Sequence, residues 1–208
     1  MKILMLIDSL DIGGAETHLE VLSRELTSTK HKIIIVSAGG VIQEKLKRDG
    51  IKCISFPDIT NKNLHYSACK SVGDEQIYRR APLICRILAA RCIILRILRR
   101  EMPDLVHAHT RRTAFLVSKI CQRYKIPLVV TAHAKFSMAF PKRLFSKWGD
   151  RTIAVSEDIW EHLVKQGLAR DRIEIILNGV IAPRENAVRS PECGGEGTNE
   201  KNCFCQPS

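Results

Sequence analysis

Aromatic residues make up only 5% of this 208-residue chain. That is too few for the stacking platforms on which single-stranded nucleic acids are held. Long apolar runs are also missing. The longest, residues 82–98, is interrupted by Arg86, Arg91 and Arg96, so it does not read as a membrane span. The opening apolar run stops at Asp8 with no small-residue cleavage pattern behind it, and no secretory leader is expected. Without export, the eight cysteines read as reduced thiols rather than a disulfide framework. Cys53, Cys85, Cys92 and Cys121 have apolar sequence neighbours and are expected as small core residues. A cytoplasmic location follows, with peripheral association at the inner face of a membrane as a variant of it.

Two phosphate-binding signatures are absent. No Gly-Lys-Ser/Thr phosphate loop occurs, which removes support for ATP hydrolysis. The dinucleotide fingerprint Gly-x-Gly-x-x-Gly is also lacking, and the second apolar segment ends Val36-Ser37-Ala38-Gly39-Gly40 without a carboxylate for a ribose. Nicotinamide and flavin cofactors are therefore not expected.

What is present is strongly basic and unevenly so. The net charge is +11; residues 1–76 are neutral overall, residues 77–150 carry +13 and residues 151–208 carry −2. A middle third this basic points to an anionic partner, such as a membrane surface, a phosphorylated substrate or nucleic acid.

Strand and helix patterns alternate from the first residue. Strands are expected over 2–7, 33–36, 51–56, 104–108, 128–131, 152–155 and 173–177. Helices are expected over 15–27, 41–48, 82–101, 113–124 and 157–166, with Gly50 and Gly167 as stops. In the long helix the apolar face gathers Leu83, Ile84, Ile87, Leu88, Ile94, Leu95 and Leu98. Arg86, Arg96 and Arg100 are placed opposite, with Arg91 inside the apolar face. Residues 58–76 read as a loop and 135–148 as an irregular basic and aromatic segment. From residue 182 onward the periodicity stops, and an unstructured tail is expected. The alternation predicts an α/β domain whose mostly parallel sheet is covered by helices on both faces.

In such sheets ligands bind outside the carboxyl ends of the strands. The residues there are Asp8-Ser9, Ser37, His109-Thr110, His133, Ser156 and Asn178. Ser156 is read as a helix N-cap. His107 and His109, two apart, share one face of a strand. His107 lies mid-strand and is read as a satisfied core histidine; His109, at the exit, is the candidate for substrate contact. With His133 they suggest a three-histidine metal site, but zinc favours a further ligand and carboxylates behind it, and acidic residues are few here. No metal is expected. Cys203-Phe204-Cys205 with Cys193 makes a poor zinc knot, lacking a histidine. Gly13-Gly14 ahead of a helix leaves room for a ligand, and the helix start favours an anionic group.

The segments Gly13-Gly14-Ala15-Glu16, Pro103-Asp104-Leu105-Val106-His107-Ala108-His109, Val129-Val130-Thr131-Ala132-His133, Ile153-Ala154-Val155-Ser156 and Ile173 through Asn178-Gly179-Val180 resemble the retaining GT-B glycosyltransferases of family 4. The resemblance implies a Rossmann-like domain over 1–180, the N-terminal half of a GT-B fold, with 181–208 an unstructured tail standing where a donor domain would begin. It implies transfer of a sugar from a nucleotide-sugar donor, with retained configuration and without a metal or other cofactor. By position, Gly13 and Gly14 would line the cleft beside the donor diphosphate. His109 would be the catalytic residue near the reacting sugar, and His133 and Lys135 would hold the acceptor.

Only 28 residues follow Val180, and no counterpart of the family's donor-binding motifs is found in them. The expectation is an acceptor-binding half, inactive alone, that takes a glycan or phospholipid-linked acceptor. Its reading frame is truncated or shifted, or its donor domain is a separate polypeptide. The alternative is a non-enzymatic basic module binding nucleic acid or an anionic membrane. Nucleic acid is disfavoured because the charge is spread over several elements and no recognition motif occurs.

Overall fold

The computed structural model describes residues 1–56, 82–135 and 148–179. The expected loop over 58–76, the segment over 136–147 and the tail over 181–208 lie outside those residues. The described elements run β1 (Lys2–Leu6), α1 (Gly14–Ser28), β2 (Lys32–Ser37), α2 (Val41–Arg48), β3 (Lys52–Ser55), α3 (Leu83–Glu101), β4 (Leu105–Ala108), α4 (Arg111–Tyr124), β5 (Leu128–Ala132), β6 (Arg151–Ala154), α5 (Glu157–Lys165), a short 3-10 turn Arg170–Arg172, and β7 (Ile173–Ile175). They form one seven-stranded sheet in the order β3-β2-β1-β4-β5-β6-β7, and every pairing is parallel. This is the expected Rossmann-like α/β sheet.

Side chains on a strand alternate between faces, and β1 shows how that builds two cores. Leu4 and Leu6 pack with Ile34 and Val36 under Ala90, Ile94 and Leu98 of α3 and Leu116, Val117 and Ile120 of α4. Ile3 and Met5 point the other way, joining Ile33 and Ile35 beneath Leu19 of α1 and Leu46 of α2. Leu4, Met5 and Leu6 are all fully buried. Truncating one such leucine to alanine removes about 2–5 kcal/mol. A third cluster packs Ile159 and Leu163 of α5 on Ala132, Ala154 and Ile173.

Two expectations about α3 are corrected. Its buried residues are Arg86, Ala90, Ile94, Ile97, Leu98 and Glu101. Leu83, Ile84 and Leu88 are 52%, 61% and 56% exposed, so the first half of the helix presents the opposite side from the one periodicity indicated. Cys85 and Cys92 are accordingly exposed, Cys53 is half-buried, and only Cys121 of the four is in the core. The cause is a helix apolar around most of its circumference. Packing on β1 and β4 then selects the face, and it selects the one centred on Ala90 and Ile94.

Two of the described helices start on a side-chain cap. The Ser156 hydroxyl accepts the Ile159 N–H at 3.3 Å, as expected of an N-cap. Helix α4 begins two residues earlier than its apolar pattern because Thr110 caps it. The Thr110 hydroxyl accepts from the Thr113 N–H at 3.2 Å, and the Thr113 hydroxyl accepts from the Thr110 N–H at 3.3 Å.

Gly40 is required by shape. Its φ is +144°, and a Cβ there would overlap the Leu10 carbonyl and sit 2.6 Å from the Asp11 nitrogen. The Leu10 backbone bonds on both sides of this contact, donating to the Gly39 carbonyl at 2.8 Å and accepting from Ile42 at 2.9 Å. The loop after β1 is thereby seated on the start of α2.

Candidate active site

The strand order turns at β1. From there β2 and β3 build one way, and β4 to β7 build the other. The carboxyl ends of β1 and β4 therefore diverge into a crevice, the usual ligand position in open parallel sheets. Helix α1 starts at this point. Its N-cap, Gly13, is extended and provides no side-chain cap, so the first N–H groups of α1 have no capping side chain. Gly13 thus has a backbone any residue adopts, and a Cβ on Gly14 would meet nothing within 4 Å. Neither glycine is demanded by the fold. The surface beside Gly14 is open, whereas the Glu16 carboxylate folds back against Gly13 and would meet a Cβ there; the helix start thus already attracts a negative charge.

Four of the chain's seven histidines gather at the same end of the sheet. His107 lies in β4, aligned with Met5 and Val129. His109 follows β4, its backbone N–H bonded to the Leu6 carbonyl at 2.8 Å. Being two apart, their rings lie on one face, 4.1 Å between centroids. His133 follows β5 and lies 5.8 Å from His109, stacked. His18, from α1, lies 5.0 Å from His133 and 5.9 Å from His109. His18 was not visible to sequence reasoning. The one signal for it was its place early in the helix that leaves the glycine pair.

The partners of these rings differ. His107 Nε2 is 2.7 Å from the Thr131 hydroxyl, which bears out the reading of a satisfied core histidine. His109 is 2% exposed, and neither of its ring nitrogens has a hydrogen-bond partner among the described residues. His133 Nε2 is likewise buried and without a partner among these residues. Burial disfavours the charged form. It holds His109 well below the ordinary histidine value, with neighbouring His107, His133 and His18 adding to the effect. Burial also pushes His107 down to about 3 and His133 to about 4, and lowers His18. At neutral pH the cluster is a set of uncharged imidazoles. Each offers one N–H donor and one lone pair.

Around the cluster, Asp8 at the exit of β1 is held by Arg112 of α4, whose Nε and Nη2 lie 3.0 and 2.9 Å from Asp8 Oδ2. Ser37 is buried, and its hydroxyl accepts from the Gly39 N–H at 3.2 Å. Lys135 points to α5, its Nζ 3.0 Å from Asp158 Oδ2, and Asn178 is exposed. The structure thus brings His109 and His133 together with His18, and engages Lys135 elsewhere.

A separate groove of about 650 Å³ lies between α3 and α4, away from the histidines, lined by Arg91, Arg99, Lys119, Arg123 and Tyr124 among others. No described helix is long and apolar enough to cross a membrane.

Comparison with known proteins extends these observations. The fold matches Anabaena Alr3699/HepE in complex with UDP-glucose, with a TM-score of 0.61, 18% identity, and 86% of this chain on 44% of that one. A glycosyltransferase from Rickettsia africae ESF-5 matches with a TM-score of 0.61, 20% identity, and 86% of this chain on 43% of that one. The apo form of the lipopolysaccharide outer core galactosyltransferase WaaB matches with a TM-score of 0.58, 16% identity, and 86% on 46%. The chain therefore spans less than half the length of these proteins. Comparison with curated proteins by sequence gives no match. The model of Glycosyltransferase Family 4 matches residues 12–182, most of the chain and all of the crevice except β1 and its exit. The chain belongs to glycosyltransferase family 4.

Proposed function

We infer that this chain is the acceptor-side half of an enzyme that moves a sugar, with retention of configuration, from a nucleotide-sugar donor to a glycan or lipid-linked acceptor. The observation that carries this reading is His109. It is a fully buried imidazole whose two nitrogens have no hydrogen-bond partner among the described residues, set at the strand exit beside the start of α1, where Gly13 supplies no side-chain cap. A buried polar group left without partners costs about 1–3 kcal/mol, and a hydroxyl-rich ligand at this point removes the cost. The low proton affinity of His109 makes it a hydrogen-bonding group toward sugar hydroxyls rather than a general base at neutral pH. Gly13 and Gly14 face the donor diphosphate in this reading, and His133 the acceptor, with Lys135 at the rim.

Half of a cleft supplies half of the transition-state contacts. On this reading transfer requires a donor-binding domain in addition to residues 1–180. The test has two parts. Saturation-transfer NMR of the purified chain against oligosaccharides and lipid-linked sugars should show binding that His133→Asn weakens. Nucleotide release from UDP-sugars should stay at background until a donor domain is supplied. A chain that binds none of these acceptors overturns the acceptor reading, and robust turnover without a partner overturns the half-site reading.

A second reading rests on the other face. Leu83, Ile84 and Leu88 are exposed at the start of α3, and the Arg91, Arg99, Lys119 and Arg123 groove continues along it. Apolar side chains next to a cationic groove suit the interface of an anionic membrane, where a lipid-linked acceptor would reside. Co-sedimentation with vesicles, with and without anionic lipid, tests it.

A further inference from the structure

The first turn of α3 holds a charge that nothing among the described residues answers. Arg86 is 7% exposed, and its Nε is buried with no hydrogen-bond partner among those residues. No carboxylate among them forms an ion pair with it. We propose that Arg86 and the amino end of α3 form an oxyanion site that takes a phosphate or carboxylate group carried by the acceptor. The anion site is independent of the glycosyl-transfer reading; only its assignment to an acceptor rests on that reading.

Position argues first. Glu101, the last residue of α3, pairs with Lys52 at the amino end of β3 at 2.7 Å. Its carbonyl accepts from the Lys2 ammonium at the amino end of β1. Helix α3 therefore runs against the strand direction and begins at the carboxyl ends, where the crevice lies. Its 19 residues span about 28 Å, whereas the five residues of β1 span about 17 Å. The first turn thus overhangs the strand exits, and Leu83 and Ile84 are exposed there.

Unmet bonding argues second. In a helix a long side chain leans toward the amino end, so Arg86 covers the turn that begins at Leu83. That turn has no side-chain cap from Pro82 and no acidic residue. Its first N–H groups and the guanidinium are then positive partners for one anion. An arginine serving only as a solvated surface residue buries its stem and keeps its head in water. The buried Nε of Arg86 does not fit that role. Asp8, the carboxylate at the exit of β1, is held by Arg112 at 2.9 and 3.0 Å.

Chemistry selects the ligand. A guanidinium presents its N–H groups in a planar fork that matches two oxygens of a phosphate or carboxylate. A neutral sugar hydroxyl would leave the charge unbalanced where an unpaired ion is most costly. An acceptor with an anionic group answers both the fork and the helix start, with its sugar toward the crevice. Free phosphate offers the same group without the sugar, and the two sources are separated by measurement.

The test titrates the full chain, labelled with nitrogen-15, with inorganic phosphate, glucose 1-phosphate and glucose at constant ionic strength. Phosphate should shift the amides of Leu83, Ile84 and Cys85 and the Nε–H of Arg86. Arg86→Gln should weaken phosphate binding at least about tenfold, the loss expected of a charged hydrogen-bond pair. Arg86→Lys keeps the charge without the fork and should weaken it as well. Arg100→Gln, at the far end of α3 and 84% exposed, should leave it unchanged. Arg86→Gln should fold at least as stably as the parent, because it removes an unpaired buried charge; urea midpoints check this. Should that variant unfold, Arg86→Lys and the α3 amide shifts of the unaltered chain decide. Phosphate shifts confined to α1 or α4, equal shifts with glucose, or binding that survives Arg86→Gln overturns the site. Tighter binding of glucose 1-phosphate than of phosphate supports the acceptor assignment. Equal binding of the two overturns that assignment and leaves phosphate itself as the ligand. Oligosaccharide binding and its loss in His133→Asn are measured separately, so failure of the anion site leaves the glycosyl-transfer reading standing.

Discussion

His107 Nε2 and the Thr131 hydroxyl lie 2.7 Å apart across the β4–β5 pair, inside the sheet core. That bond divides two histidines of one strand face into different roles. His107 is satisfied and structural, while His109, two residues on, has no hydrogen-bond partner among the described residues. Removing the partner of a buried group costs more than replacing an unpartnered polar group by an apolar one. Thr131→Val should therefore lower stability by about 1–3 kcal/mol. His109→Phe should leave stability near the parent value or raise it while abolishing binding in the crevice. Urea unfolding of both variants checks this, and a large loss for His109→Phe would show that the ring holds the fold together.

Stability should fall steeply in mild acid. His107 and His133 titrate at about 3 and about 4 in the folded chain, against 6.5 for an ordinary histidine. Unfolding lets both rings bind protons at pH values where the native rings stay neutral. Their contribution is fully present above pH 6.5 and is lost as the pH falls through their folded values. Each ring removes up to about 1.4 kcal/mol per pH unit across that window. His109 and His18 shift in the same direction. Denaturant midpoints between pH 7.5 and 4 check the slope; a flat profile down to pH 5 contradicts burial of neutral imidazoles.

Glycines on either side of the crevice should behave oppositely. Gly40→Ala places a Cβ into the Leu10 carbonyl at a φ of +144°, and it should cost about 2 kcal/mol or more. Gly14→Ala meets nothing and sits in the first turn of a helix, where alanine is the better residue. It should be neutral or slightly stabilising, yet weaken any anion bound before α1. Thermal melts, paired with phosphate or UDP titrations by NMR, separate the two effects.

The α3–α4 groove should respond to charge rather than to shape. Each basic residue near an anionic membrane surface contributes about 1 kcal/mol. Arg91→Gln with Arg123→Gln should therefore cut vesicle partitioning by about thirtyfold, or about 2 kcal/mol. The loss should vanish on neutral vesicles and shrink as salt rises. Equal binding to neutral and anionic vesicles contradicts the membrane reading.

Much of the fold was readable in advance. Short apolar strands alternating with amphipathic helices leave few arrangements besides a parallel sheet covered on both sides. The predicted elements all occur among the described residues, most of them within two residues of their expected ends. Reading failed on α3, where arginine 86 of a mostly apolar helix is buried and Leu83, Ile84 and Leu88 are exposed. Hydrophobic periodicity selects a face only when the other face is polar.

The sequence by itself determined the class of sheet, the polar strand exits and the separation of His107 from His109, because these depend on local period and on position within one strand. Only the tertiary structure decided that His18 joins them. That residue is 91 positions from His109 in the chain, and the crossover from β1 through α1 sets it over the exits of β4 and β5. The same packing brings His133 alongside, encloses His107 and His109, and leaves His18 and His133 half-buried. A row of polar strand ends thereby becomes a buried cluster of neutral imidazoles with open bonding positions.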